Sequence, residues 1–570
     1  MKNLTLILAL VVAFTACKKD KSINRNSEKI KLVDSLLERP NKIAPGYALG
    51  IIENGELILA KGYGYSNLEH ELPLSDSSAI YIGSMAKQFT TAALLILESQ
   101  GKIDFDEPVN KYLPDFPTYD QPININHLIH HTSGIRETNS MQLFQGIDLK
   151  FEEYFDTDDL YQLIVKQEEL NFQPGREFRY SSGGYAVLAK VVEHISGQDF
   201  RTFTKENIFD PLEMKNTLVS DDHNEIIRNR SASYWPIEEN KYERRSLIFD
   251  AYGDGGIITT VKDLAKWDKA FYQDILGVDN FADKMYQKGK LNNGEEIEYA
   301  RALQVRNYKG LTMITHNGGM LGFRVDMVRF PEIKTSFILL GNSAFLDPTG
   351  DILKISDIWI EEKLTEEKDL ITYQQNESRA IMLKSDDLQK YEGYYWTDQS
   401  NYYRRITYRN DSLFLDSGNP DYGTYLSPIS ENTFELKDYY VPAKLTFSPE
   451  TTSQELTAQF GQVERTFRKF DPTPPADLAD LRIYNGIYHS AELSTNYEIF
   501  EKSNAIHLKI GNNKSFQIFP VSENSRVVWN GKKMVWLGFG EVKFNFNNEN
   551  QVTGLTIGDG RVSGVKFPKE

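Results

Sequence analysis

Cysteine is almost missing from this chain: its 570 residues contain one, Cys17. A single thiol excludes an intrachain disulfide, so the fold must rest on packed cores. Positive charge is also short. Lys and Arg total 64 against 81 Asp and Glu, a net charge of −17, and that balance argues against a nucleic-acid partner, which needs a basic footprint. Long apolar runs are lacking as well. Residues 4–14 are apolar and uncharged but too short to cross a bilayer, and no later run is longer and as free of charge. What is present is an ordinary globular balance, 40% hydrophobic and 25% charged. The 31 Tyr and 32 Phe point to β-rich portions. The length exceeds a single core and predicts roughly three or four domains.

The first residues read as an export segment, set aside before any fold is argued. Lys2 supplies a positive start, the apolar run follows, and Phe14-Thr15-Ala16-Cys17 closes it. A lone cysteine after a small residue at that place resembles a bacterial lipobox. The resemblance implies cleavage before Cys17, lipidation of its thiol and anchoring to a membrane of the cell envelope. An ordinary secretory signal cut nearby is the alternative. Residues 1–17 are thus the signal, and 18–27 a polar, flexible tether.

From residue 28 to 367 helical and strand patterns alternate, as in an α+β domain. Ser27 caps an amphipathic stretch carrying Val33, Leu36 and Leu37, and Pro40 stops it. Two apolar runs meet at Asn54-Gly55, and two more flank Pro331-Glu332, each pair a predicted hairpin. Helices are predicted after Ser84, Tyr185 and Thr260. Hairpins flanking a helical middle imply an antiparallel sheet with helices packed on it. Beyond Glu367 the helical period disappears, and the chain repeats itself. Leu388-x-x-Tyr391-x-Gly393-x-Tyr395 recurs as Leu481-x-x-Tyr484-x-Gly486-x-Tyr488. The reading is two tandem all-β modules of short strands, 386–470 and 478–570, joined by a proline-rich linker at 471–477 and each favouring a small closed barrel.

The chemistry centres on Ser84-Met85-Ala86-Lys87. Serine followed three residues later by lysine occurs three times, at Ser84, Ser99 and Ser563. Gly101 should break the helix inside the second pair, and the third lies in a strand-like tail, where positions three apart face opposite ways. Only Ser84 and Lys87 share a helical turn. A serine hydroxyl becomes a nucleophile when a neighbouring base takes its proton, and a buried amine is one such base. Tyr180, in Phe178-Arg179-Tyr180-Ser181-Ser182, is the candidate second proton carrier. Thr315-His316-Asn317-Gly318-Gly319 is the candidate third piece, because glycines let backbone approach a ligand. An N–H there, paired with that of Ser84, would make an oxyanion hole, in which one donor is worth about 3–4 kcal/mol.

Ser84-Met85-Ala86-Lys87, Tyr180-Ser181-Ser182 and His316-Asn317-Gly318, in that order, resemble the three motifs of the penicillin-recognising serine hydrolases, nearest to their class C β-lactamase and D-aminopeptidase-like branch. The texts from His127, Asn171 and Gly253 resemble it too. The resemblance spans residues 45–342. It implies Ser84 as the acylated nucleophile, Lys87 as its proton-transfer partner, Tyr180 as general base and acid, and the amides of Ser84 and Gly319 as the oxyanion hole. Which of Lys87 and Tyr180 deprotonates the serine stays open. Two positions depart from the pattern: Ser182 stands where Asn usually orients the substrate amide, and His316 where lactamases use Lys for the substrate carboxylate. Those departures lean towards peptidase, amidase or esterase chemistry on D-amino-acid, peptidoglycan-type or small ester substrates. The rivals are a penicillin-binding or β-lactam-hydrolysing protein and an acylated sensor that does not turn over. The β modules resemble lipocalin-like barrels appended to some enzymes of the branch, where they can cap the active site.

No cofactor is implied, and the oligomeric state stays open. His127, His130 and His131 have a spacing that tempts a zinc reading, but the Glu of zincin motifs is missing, including the inverted form, where His130 stands in its place. No metal site is expected.

Overall fold

The computed structural model describes residues 27–570 apart from short stretches at 39–42, 148–152, 239, 366–380 and several turns of the C-terminal half. The export segment, Cys17 and most of the tether therefore lie outside the described residues, as does most of the 471–477 linker. No helix among the described residues is long and apolar enough to cross a membrane.

A helix at 27–37 (α1) leads into the first hairpin, β1 (Tyr47–Glu53) and β2 (Glu56–Tyr63). Its turn holds Asn54 at φ 52° and Gly55 at φ 79°, the left-handed pair that an Asn-Gly hairpin needs. After a helical middle come β3 (Gln304–Tyr308), β4 (Leu311–Met320), β5 (Phe323–Phe330) and β6 (Thr335–Gly341). The six strands form one antiparallel sheet in the order β3-β4-β5-β6-β1-β2, with the first and last hairpins of the domain side by side.

This sheet is covered on both faces, and the alternation of side chains shows how. Tyr47, Leu49 and Ile51 of β1, with Phe337 and Leu339 of β6, pack on Val33 and Leu37 of α1 and on Ile352, Ile355 and Trp359 of a C-terminal helix, Pro348–Ile360. Their neighbours Ala48, Ile52, Ile338 and Leu340 face the other way into the larger core. A strand buried on both faces reads as one unbroken apolar run, which is why Tyr47 to Ile52 shows no polar alternation. Gly50 is required here: a Cβ on it would stand 2.5 Å from Cγ1 of Val261, at the start of the helix packed on that face.

The helical middle rests on the second face. The helix Lys87–Ser99 is buried along nearly its whole length and meets Trp267 through Phe89, ring centroids 4.5 Å apart. The helix Gly183–Ser196 packs beside it within the same core. Each buried side chain of this type contributes about 1.5–3 kcal/mol, so this pair of helices forms a stiff platform for whatever sits at their N-terminal ends.

Two all-β bodies follow. Eight strands from Gly393–Thr397 to Val463–Phe470 close into a barrel, first strand paired with last. Eight more, from Gly486–Ser490 to Val565–Pro568, make a second antiparallel sheet whose end strands meet at a bridge between Tyr488 and Lys569. The second body lies against the helical middle. Met141 and Phe144, from the short helix Thr138–Phe144, and Leu163 are members of its apolar core.

Candidate active site

Ser84 lies in a tight 3₁₀ turn, Gly83–Ala86, that runs directly into the helix beginning at Lys87. The turn depends on Gly83, which has φ 50° and backs onto β4: a Cβ there would stand 2.7 Å from the amide nitrogen of Gly319. Gly318 is equally constrained, since its Cβ would fall 1.9 Å from the carbonyl oxygen of Ile82. Two glycine-to-backbone approaches thus press the strand 316–319 against the serine turn, and no larger residue fits at either place.

Lys87 is fully buried, and its Nζ donates to Ser84 Oγ at 3.1 Å and to the carbonyl of Asp254 at 2.7 Å. The amine also lies 5.1 Å from the ring centroid of Tyr180 and 5.5 Å from that of Tyr185. The Tyr180 hydroxyl is buried and has no hydrogen-bond partner among the described residues. Serine, lysine and phenol therefore share one cleft, although Tyr180 is far from the other two in sequence. Its backbone is set by the chain before it, where Arg179 N donates to His131 O, and by Ser181 N, which donates to His131 Nδ1 at 3.2 Å.

Ser182 occupies the start of the helix Gly183–Ser196, and its N–H donates to Glu137 Oε2 at 2.6 Å. A carboxylate at a helix N-terminus is favoured by the helix dipole and anchors the turn that carries Tyr180. His316 is buried beside Tyr299. Its Nδ1 is 2.7 Å from Asn317 O, and its Nε2 is 3.0 Å from Tyr299 Oη. A carbonyl can only accept, so Nδ1 carries the proton and Nε2 accepts from the phenol, which a neutral imidazole satisfies completely. Burial and the charge of Lys87 depress the His316 pKa to about 3, so the third motif presents no cation at neutral pH.

The other histidines have local duties. His127 and Asn124 form a reciprocal cap on the helix Ile125–Ile129. His130 places its two ring nitrogens against Asn126 O and Gln287 O. His131 lies against Tyr180, ring centroids 4.1 Å apart and planes tilted by 35°, and burial first, then the charge of Lys87, holds it far below its ordinary pKa. Of the three, His131 is the scaffold of the tyrosine loop. Among the described residues no three His, Cys, Asp or Glu side chains are grouped to hold a metal.

Several participants have no local signature in the sequence. Asp254, half-buried, offers its carbonyl to Lys87. Burial pushes its carboxyl up to about 6, against the pull of Lys87 and with a contribution from Glu137. Tyr299 comes from an irregular segment before β3. From the second β body, Arg561 brings its guanidinium to 5.4 Å from the Tyr180 ring. Only the Gly253-Asp254-Gly255-Gly256 run hinted at a close approach by its glycines.

Comparison with known proteins gives the family and the fold. The Beta-lactamase family profile matches residues 33–356. Penicillin-binding protein 4* of Bacillus subtilis is 25% identical over 448 residues, 73% of this chain and 93% of that protein. The D-aminopeptidase of Gluconobacter oxydans is 23% identical over 301 residues, 52% of this chain and 56% of its own length, so the match spans about half of that enzyme. The octameric penicillin-binding protein homologue of Pyrococcus abyssi shares the fold, with a TM-score of 0.53 at 21% identity over 79% of this chain and 98% of that one.

Proposed function

The chain belongs to the β-lactamase family and is a serine hydrolase, and from that premise we propose that it works through an acyl-enzyme on Ser84, cleaving amides, peptides or small esters of D-amino acids. The observation that carries this reading is the buried amine of Lys87 at 3.1 Å from Ser84 Oγ, with the unpartnered phenol of Tyr180 against the same amine.

In the acylation step the Lys87–Tyr180 pair acts in the state that lacks one proton, and Ser84 Oγ bonds to the substrate carbonyl carbon while its own proton fills that vacancy. The carbonyl oxygen takes the negative charge beside the amides of Ser84 and Gly319. When the carbon–nitrogen or carbon–oxygen bond breaks, the pair returns the proton to the leaving group. Water repeats the sequence in reverse and frees the acid. Neutral His316 supports the choice of substrate, because a lactam-type carboxylate finds no cation at the third motif. The name of the Gluconobacter relative supports the D-amino-acid acyl group. Export and anchoring through Cys17 would place the enzyme in the cell envelope.

The test is covalent labelling by a fluorescent fluorophosphonate, with turnover of a D-alanine anilide measured alongside. Ser84→Ala should lose both. Labelling that survives the substitution removes the nucleophile, and a single stoichiometric burst without turnover makes the protein an acylated sensor.

A further inference from the structure

The two β bodies join their last two strands differently. The barrel links Glu455–Phe460 to Val463–Phe470 through two residues, 461–462, whereas the second body links Val552–Gly558 to Val565–Pro568 through six, 559–564. The longer connection is spent on the catalytic domain. Asn171 clamps it from both sides: its Nδ2 donates to Arg561 O, and its Oδ1 accepts from Ser563 N, both at 2.8 Å. Arg136 Nε donates to Ser563 O at 3.0 Å, and Arg179 Nη1 to Ser563 Oγ at 3.0 Å. Within the loop Asp559 Oδ1 accepts the N–H groups of Arg561 and Val562.

All this fixes the Arg561 backbone and leaves its side chain exposed at the site, with the guanidinium 5.4 Å from the Tyr180 ring, the same ring that faces Lys87. Among the described residues no carboxylate lies within ion-pair distance of it. The neighbouring cations are engaged: Arg136 is buried against Glu492, Arg179 holds Ser563 and Glu177, and Arg324 gives Nη1 to the carbonyls of Leu321 and Phe323. A guanidinium is a planar fork of donors that matches a carboxylate with two parallel hydrogen bonds. Held beside the proton-transfer tyrosine on a clamped loop, it meets a carboxylate carried close to the bond being cut.

We propose that Arg561, contributed by the second β body, is a specificity residue that binds a carboxylate on the substrate, so that the enzyme prefers D-amino-acid peptides with a free C-terminal carboxylate over their neutral amides. This rests on the reading of Ser84 as nucleophile.

The test is protection of Ser84 in the full chain against fluorophosphonate labelling, with N-acetyl-D-alanyl-D-alanine and its C-terminal amide as competitors. The acid should protect at a concentration about tenfold lower than the amide, the scale of one charge-assisted pair. In Arg561→Gln that ratio should fall to about one, and Arg561→Lys, a point charge without the fork, should keep part of it. Melting temperatures check that each variant is folded. A wild-type ratio of one, or an undiminished ratio in Arg561→Gln, overturns the proposal while leaving Ser84 as nucleophile. Absence of labelling at Ser84 in the wild type overturns the nucleophile, and this proposal with it.

Discussion

The two β bodies begin with the same local device and end in different roles. In each, a tyrosine hydroxyl donates to the carbonyl four residues back, Tyr395 to Tyr391 and Tyr488 to Tyr484. In each, a glycine with φ near 150° (148° at Gly393, 154° at Gly486) lies under a lysine from the far end of the body. That lysine donates back across the seam at 3.1 Å, Lys469 to Lys390 and Lys569 to Ile483. The divergence lies on the core-facing side of the second strand. The register puts Ile406 opposite Gly393 and Ile499 opposite Gly486, so Arg404 of the barrel corresponds to Tyr497 of the second body. Tyr497 is buried, and its hydroxyl donates to Phe144 O at 2.7 Å. The core of the barrel contains its own residues, whereas that of the second body takes in Met141, Phe144 and Leu163. One repeat became a part of the enzyme, and the other connects to it through a small apolar cluster in which Trp396, Tyr403 and Phe470 meet Val521. A shared fold unit does not carry a shared function; the residues at a few equivalent positions decide what it joins.

The sharpest way to break that comparison is to remove one buried ion pair from each body. Glu492 meets Arg136 with both side chains nearly inaccessible, and Asp416, itself inaccessible, meets Arg405 on the neighbouring barrel strand. Glu492→Ala leaves a buried guanidinium uncompensated and should cost about 3–5 kcal/mol, with activity lost as the 559–564 loop leaves the site. Asp416→Ala should destabilise the barrel and leave activity intact. Calorimetry with a parallel rate assay reads both, and equal losses of activity would erase the distinction between the bodies.

Next in size is Tyr180→Phe, which keeps the ring that Arg561 faces and removes the hydroxyl. It should lower kcat by about 10²-fold, the usual scale of general acid–base catalysis, without shifting the melting temperature by more than about 2 °C. A large thermal shift with little kinetic loss would make the phenol part of the docking surface.

Acid should separate the catalytic domain from the β bodies. Burial depresses His127 and His130 to about 4 and His316 to about 3. A folded pKa below the unfolded value of about 6.5 means that the unfolded chain binds more protons between those limits, so stability is present above that range and lost as pH falls through it. Asp254, raised to about 6, works in the opposite sense, since its protonated form is favoured in the fold and stability declines as pH rises from about 4 towards 6. Four depressed imidazoles, His131 among them, outweigh the raised carboxyls of Asp254 and Asp326. Hydrogen exchange between pH 7 and 4 should find the helical middle losing protection before the barrel does.

The smallest effect tests the shared device. Gly393→Ala and Gly486→Ala force a side chain into a backbone conformation that costs about 1–3 kcal/mol. Denaturant titration should return similar losses for the two, and only Gly486→Ala should also lower activity. A kinetic effect from Gly393→Ala would tie the barrel to the site.

Much of the fold was readable because it is governed by short-range rules. Asn54-Gly55 and Pro331-Glu332 mark the two hairpins, and the unbroken apolar run of β1 fits a sheet covered on both faces. The repeated Leu-x-x-Tyr-x-Gly-x-Tyr texts announced two like bodies. Of the site, Ser84 and Lys87 were accessible because helical geometry alone puts residues three apart on one face. Tyr180 and His316 could be placed only through the resemblance, since nothing local says which tyrosine or which histidine converges on the serine. Tyr299, Glu137 and Arg561 had no signal at all, and Asp254 only the glycines around it; each reaches the cleft through a contact between segments distant in the chain.

The sequence by itself determined the elements, their pairing at tight turns, the serine–lysine turn and the doubling of the β unit, because all of these follow from dihedral preference and periodicity over a few residues. Tertiary structure alone decided that His316 is a neutral acceptor, that Glu137 secures the start of the Ser182 helix, and that one β body lends an arginine to the cleft. Those outcomes depend on burial and on charges brought together from opposite ends of the chain, quantities that exist only once the chain has closed on itself.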